Sequence, residues 1–390
     1  MARLGEVVVV GGGIGGLATA LAVRRSGAAA RVRVLERAGE FSEVGAGLQL
    51  APNAVRALRR LGVDRQIDDY AFHPRRLVML DALTGDLVTA LDLGAAFRSR
   101  YDAPYVVMHR SDLLAMLLDQ VKQHDDIELC SGTEVTGVDQ DDGGVVVRTA
   151  PGEELRADLL VGADGLRSVV RAGVVADGEP VGARYVAYRG TLPFDDVAGI
   201  AGGEDVLLWA GPRMHLVQYP IRRGELYNQV AAFESDRYTP DHDRWGDPAE
   251  LDERFAEACA PVRTAAALID RSRRWQMLDR EPVRNWVHGR IALVGDAAHP
   301  MLQYVAQGAC QAIEDAVALG TALEAEADVD TALARYLHER VDRASRVQRT
   351  ARLFGELIHL AGMGATVRNR LLSARPHDDY CDIDWLYRTA

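Results

Sequence analysis

Residues 7–36 constrain this chain more than any other stretch. They run Val7-Val8-Val9-Val10 into Gly11-Gly12-Gly13-Ile14-Gly15-Gly16, then through Leu17-Ala18-Thr19-Ala20-Leu21-Ala22-Val23 to Arg31-Val32-Arg33-Val34-Leu35-Glu36. Four consecutive valines suit a strand buried on both faces. The Gly11-x-Gly13-x-x-Gly16 spacing turns the backbone tightly and opens a helix. The free N–H groups and positive dipole end of that helix favour an anion, a pyrophosphate above all. A second strand ends at Glu36, twenty residues past Gly16, where a carboxylate can accept from ribose hydroxyls. A glycine fingerprint alone says little. With a strand before it, a helix after it and an acid at this distance, it predicts a dinucleotide-binding unit.

Residues 7–23 are all apolar, Gly or Thr, so a membrane or signal segment is the competing reading. It fails on three counts. Seventeen residues sit at the short limit of a span, which needs about 20. Five of them are glycines clustered at one end. Only Arg3 stands where a leader would be basic, and Glu6 intervenes. No second apolar run approaches membrane length. The net charge of −12 argues against nucleic acid or an anionic membrane as main partner. Cys130, Cys259, Cys310 and Cys381 are far apart without a CxxC, which suggests neither a metal site nor a disulfide framework. The expectation is a soluble protein of a reducing, cytoplasmic compartment, with two or three domains in 390 residues on a prior of about 150 each.

After Glu36, Gly45 and Gly47 flank Ala46 in a segment with almost no side chains, which permits backbone to approach a flat ring system or simply to turn. Asn53 is placed to cap a short helix, and Ser111 to cap a second with an apolar stripe at 113, 114, 117, 118 and 121. Arg110, just before it, is placed to reach a phosphate or ring, a surface arginine being the plain alternative. Strands are expected at 77–80 and 105–108 and across 127–161. Leu159-Leu160-Val161-Gly162-Ala163-Asp164-Gly165 then delivers an Asp-Gly turn to the edge of a sheet where ligands bind.

From about 181 to 280 short alternating strands dominate, at 184–191, 205–209, 215–220 and 227–233, and read as an antiparallel sheet. His215, Val217 and Tyr219 share one face there; an ordinary sheet histidine and a core or interface aromatic are the plain alternatives for the first and last. Ile291-Ala292-Leu293-Val294-Gly295-Asp296 returns to the buried-strand texture. Gly308-Ala309 then opens a helix whose small first turn admits a planar ring and whose positive end stabilises negative charge. Helices are expected over most of the remainder, including 330–360, and the aromatic end around Trp385 and Tyr387 is expected to dock.

One phosphate loop, one Asp-Gly and one Gly-Asp strand end, about 150 and 130 residues apart, together resemble the FAD-dependent aromatic hydroxylases of the p-hydroxybenzoate-hydroxylase fold, over nearly the whole chain. Further stretches resemble the bacterial 3-hydroxybenzoate 6-hydroxylases of the salicylate-hydroxylase-like branch. They are Glu43-Val44-Gly45-Ala46-Gly47-Leu48-Gln49, Met108-His109-Arg110-Ser111-Asp112-Leu113, Ala187-Tyr188-Arg189-Gly190-Thr191, His215-x-x-Gln218-Tyr219-Pro220, Asp279-Arg280-Glu281-Pro282 and Leu302-Gln303-Tyr304. Residues 305–311 look closer to the broader salicylate-type enzymes.

The resemblance implies an α/β fold: a Rossmann-type, discontinuous FAD-binding domain (1–75, 100–180 and 285–345), a substrate domain on an antiparallel sheet (76–99 and 181–284), and a C-terminal helical segment (346–390). It implies tightly bound FAD, held by Gly11, Gly13, Ile14, Gly16, Glu36, Arg37, Ala46, Gly47, Arg110, Asp164, Asp296, Pro300, Gly308 and Ala309. NADH or NADPH and O2 would be co-substrates, without a second phosphate loop. His215, Gln303 and Tyr219 would line a pocket for a small phenolic acid, with hydroxylation of 3-hydroxybenzoate to 2,5-dihydroxybenzoate as the implied reaction. A salicylate-type enzyme, a tailoring hydroxylase of larger polyphenolic substrates, a non-catalytic flavin module and a homodimer stay open at this point.

Overall fold

The computed structural model describes residues 4–42, 45–150, 152–197, 202–239 and 247–388; Arg3 and the Glu43-Val44 pair lie outside them. The valine run forms the strand Leu4–Val10, with Val7, Val8 and Val9 fully buried. It lies inside a six-stranded sheet in the order Val287–His288, Ile291–Leu293, Leu159–Gly162, Leu4–Val10, Ala29–Leu35, Ile127–Cys130. All neighbours are parallel except the edge pair of Val287–His288 with Ile291–Leu293. Register explains why three distant motifs meet. Val10 pairs with Gly162, and Gly162 with Leu293, so the loops that follow all leave at one carboxyl edge. Helix Ile14–Arg25 packs against helix Gly308–Ala325.

A seven-stranded sheet stands beside it, in the order Trp275–Asp279, Val181–Pro193, Leu226–Glu234, Met214–Ile221, Val206–Gly211, Arg76–Asp81, Leu87–Asp92. It is antiparallel with one exception: Val206–Gly211 runs parallel to Arg76–Asp81. That pair joins segments more than a hundred residues apart, which local alternation cannot register. One face of the sheet packs on its own core of Leu216, Phe233, Trp209 and Leu251. The other faces the first sheet's carboxyl edge.

Two expected caps are corrected. Helix Arg110–Val121 is capped by His109, whose side chain accepts from the Ser111 N–H, not by Ser111. Helix Pro52–Leu61 begins after Ala51 with proline at its start. Asn53 is instead buried inside the first turn, where its Nδ2 donates to Gln307 Oε1 at 3.0 Å and to Glu314 Oε1 at 2.5 Å. A buried carboxylate makes the stronger, charge-assisted partner. The expected long helix is Val329–Ile358. The tail docks: Tyr387 is buried with its ring 5.6 Å from Tyr101 and 6.1 Å from Phe97. Among the described residues, no helix is long and apolar enough to cross a membrane.

Candidate active site

At the end of the first strand, Gly11 holds φ +106°, and a Cβ there would lie 2.4 Å from the Ala163 carbonyl oxygen; glycine is required both for the turn and for the close approach of the next strand. Gly16 faces that turn rather than the cavity, its missing side chain making room for the Gly11 carbonyl. Gly13 is the N-cap of helix Ile14–Arg25, whose first turn carries no acid, so nothing there competes with a bound anion. Glu36 is fixed at the loop: one oxygen accepts from the Gly12 N–H at 2.8 Å and the other from the Ala38 N–H at 2.9 Å. Gly11, Gly13, Ile14, Glu36 and the exposed Arg37 line one end of a continuous cavity of about 890 Å³.

The middle of that cavity is lined by Ala46, Gly47, Arg110, Asp164, Asp296, Gly308 and Ala309. The Gly47 N–H donates to Asn228 Oδ1 at 2.7 Å, and a Cβ on Gly47 would come within 2.6 Å of the Tyr219 ring, so this backbone runs flat against the second sheet. Asp164 accepts from Ser168 Oγ and from the Val170 N–H, and burial raises its pKa. Asp296 is exposed beside the start of helix Gly308–Ala325, which also has no acid in its first turn. Pro300 differs from the others. It is buried off the lining, and its carbonyl accepts from Gln348 Nε2 at 2.8 Å.

The far end is the second sheet. His215, Val217 and Tyr219 all line the cavity, as alternation along Met214–Ile221 requires. Val217 pairs with Val230 and Val230 with Arg189, placing Arg189 two strands across, about 10 Å away, also on the lining. Its guanidinium lies 4.3 Å from the Trp275 ring centre. Tyr219 is buried beside Gln49, and burial holds its phenol well above the usual range. Gln303 is exposed to the cavity at the start of the turn Gln303–Val305.

His215 is almost wholly buried, and its Nδ1 lies 2.9 Å from Nε2 of His359. Burial first, then the neighbouring imidazole, push its pKa well below the ordinary value. The structure thus brings His215, Tyr219 and Gln303 to one cavity. Tyr304 also lines the cavity, and His359 stands behind His215, off the lining; the Tyr304 ring is 5.4 Å from each histidine. His359 ends a long helix without any local motif, so nothing in the sequence marks it. Arg189 sits in a stretch already singled out, the run Ala187-Tyr188-Arg189-Gly190-Thr191.

Cavity and fold together fit FAD. A loop without side chains opens onto a helix N-terminus, an anchored carboxylate stands at the second strand, and a second acid-free helix start borders the same cavity. These define a flavin-dependent oxidoreductase. Residues 5–351 match the family described as FAD binding domain, and the chain belongs to it. It is 40% identical over 390 residues to 3-hydroxybenzoate 6-hydroxylase of Klebsiella oxytoca, covering 99% of this chain and 97% of that one. Among solved structures, Klebsiella pneumoniae HpxO complexed with FAD and uric acid superposes with a TM-score of 0.83 at 28% identity, covering 95% of this chain and 93% of that one. A salicylate hydroxylase substrate complex gives 0.83 at 26% identity, covering 100% and 96%. The protein is an FAD-dependent aromatic hydroxylase.

Proposed function

We propose that the protein converts 3-hydroxybenzoate to 2,5-dihydroxybenzoate, with NADH or NADPH as electron donor and O2 as oxygen source. The observation that carries this reading is the cavity wall. An imidazole, a phenol and a carboxamide face one space that opens onto the FAD-binding loops, in a chain 40% identical to a 3-hydroxybenzoate 6-hydroxylase. Bound FAD would supply the redox chemistry, passing two electrons from the nicotinamide coenzyme to O2, of which one atom would enter the ring and the other leave as water.

The chain's residues do the rest. The Gly11–Gly13 turn and the two helix starts hold phosphates and ring charge, Glu36 takes the ribose hydroxyls, and Asp296 the ribityl side. His215 and Tyr219 stand about 13 Å apart along their strand, so they serve different ends of a substrate. His215 takes the phenol, and Gln303 orients the same hydroxyl. Tyr219, with the Arg189 guanidinium on the same face, takes the carboxylate. An electron-rich ring is attacked faster when its hydroxyl gives up hydrogen-bond charge, and a neutral imidazole accepts it.

Two measurements follow. Glu36→Ala is expected to weaken FAD binding by about 1–3 kcal/mol, the range for hydrogen bonds to a charged group, read by titrating apoprotein with FAD; unchanged affinity would show that Glu36 does not hold the ribose. A panel of 3-hydroxybenzoate, salicylate, 4-hydroxybenzoate and 2,5-dihydroxybenzoate, with products separated by chromatography, tests the substrate. The expected result is 2,5-dihydroxybenzoate from 3-hydroxybenzoate alone. Catechol from salicylate in its place would move the assignment to the salicylate-type enzymes.

A further inference from the structure

A buried phenol that loses its proton needs somewhere for the proton to go, and His215 cannot keep it. Free phenol and imidazole differ by ~3.5 pH units, or about 5 kcal/mol, and a buried imidazolium widens that gap. Beyond His215 stands a second imidazole. We propose that His359 is the second member of a proton relay and carries the substrate's phenolic proton onward from His215 toward solvent. The proposal rests on the reading of His215 as the group that accepts from the phenol.

The geometry is that of a relay. His215 Nδ1 and His359 Nε2 are 2.9 Å apart, and one proton lies between them. His359 is clamped: its ring stacks on Tyr185 at 4.5 Å and 12°, and Tyr304 meets it edge-on at 5.4 Å. Exposure rises along the pair, from 2% at His215 to 9% at His359. His359 ends helix Val329–Ile358, and its carbonyl accepts from the N–H of Arg213, an exposed residue in the turn just before the His215 strand.

The groups facing the pair are the Tyr185 and Tyr304 phenols and Arg368, which donates to the Leu357 and Ile358 carbonyls and has Asp81 beyond it at 4.0 Å. Among the described residues no carboxylate hydrogen-bonds to either ring, so neither is held as a cation. Burial first, then Arg368, lower His359 to about 4, which keeps both rings neutral near pH 7.

With His215 Nδ1 donating to His359, the lone pair on His215 Nε2 is left for the cavity. The phenol proton passes to His215 Nε2, the Nδ1 proton to His359 Nε2, and the His359 Nδ1 proton to water. Each ring gains one proton and loses one, so no buried imidazolium accumulates. When the product's hydroxyl regains its proton the same three transfers run backward and restore the starting tautomers.

The test uses FAD-loaded His359→Gln and His359→Ala beside His215→Ala. Glutamine can still hydrogen-bond to His215 but cannot pass a proton. Expected are kcat values about 10–10² lower in both His359 variants, KM for 3-hydroxybenzoate within about threefold of wild type, unchanged FAD content, and recovery of the alanine variant by added imidazole. Wild-type kcat in His359→Gln would reduce His359 to orienting His215 and overturn the relay. Failure of imidazole to raise the rate of His359→Ala would also overturn it. If His215→Ala hydroxylates normally, the reading beneath the proposal fails; if only the His359 variants do, the relay alone fails.

Discussion

His215→Ala will retain FAD and form hydroxylated product at a rate reduced by at least about 10², the range for loss of a general base. The electrons still drawn from NAD(P)H will leave as hydrogen peroxide. The imidazole is held by its strand, by His359 at 2.9 Å and by the edge of Tyr304, so its removal deletes a placed acceptor rather than a mobile surface group. Alanine also opens space beside Tyr304, but the cofactor loops lie on the other sheet, which is why FAD binding is expected to survive. Paired assays of product by chromatography and of peroxide by a coupled peroxidase read the effect. A variant hydroxylating at near wild-type rate and coupling would make His215 an ordinary sheet histidine.

The second large effect lies beneath the flavin-side loop. Arg340 is buried and donates to Asp315 Oδ1 at 2.7 Å, to Gln311 Oε1 at 2.8 Å and to Glu314. Asp315, itself fully buried, accepts the Gly295 N–H at 2.8 Å and pairs with His299, so the arginine steadies the turn that presents Asp296. Arg340→Met is expected to cost about 3–5 kcal/mol, because it leaves buried carboxylates short of their counter-charge. Denaturant unfolding of the FAD-loaded protein measures this; a loss below about 1 kcal/mol would show that Arg343 and His299 suffice.

The same network sets an acid limit. Burial raises the Glu314 pKa, but Arg340 and Arg343 outweigh it and hold the group at about 2. A depressed carboxyl pKa contributes stability that is present above the ordinary value near 4.5 and lost as pH falls toward 2.

The parts of this molecule legible in its sequence are those whose chemistry is local. The valine strand, the glycine turn and Glu36 lie within one thirty-residue stretch, and their spacing alone predicts a dinucleotide-binding unit, which the family match bears out. The face shared by His215, Val217 and Tyr219 follows from a period of two. Asp164 and Asp296 were legible as strand ends; that they meet depends on the register of Val10 with Gly162 and of Gly162 with Leu293.

What escaped is non-local. Asn53 has the look of a cap, yet its partners stand more than 250 residues away. The parallel pairing of Val206–Gly211 with Arg76–Asp81 spans more than a hundred. His359 carries no spacing signal at all; only the packing of the long helix's end against the second sheet brings it to His215. Pro300 lies off the cavity lining, next to Met301 on it, and its carbonyl accepts from Gln348, a partner 48 residues away.

In the proposed reaction the fold couples reduced FAD to oxygen transfer onto a hydroxybenzoate held at His215. The deciding measurement is the ratio of 2,5-dihydroxybenzoate formed to NADH consumed, with purified FAD-loaded protein and 3-hydroxybenzoate in air-saturated buffer. A ratio near one, with little hydrogen peroxide, is expected. NADH consumed with peroxide as the sole product would contradict it.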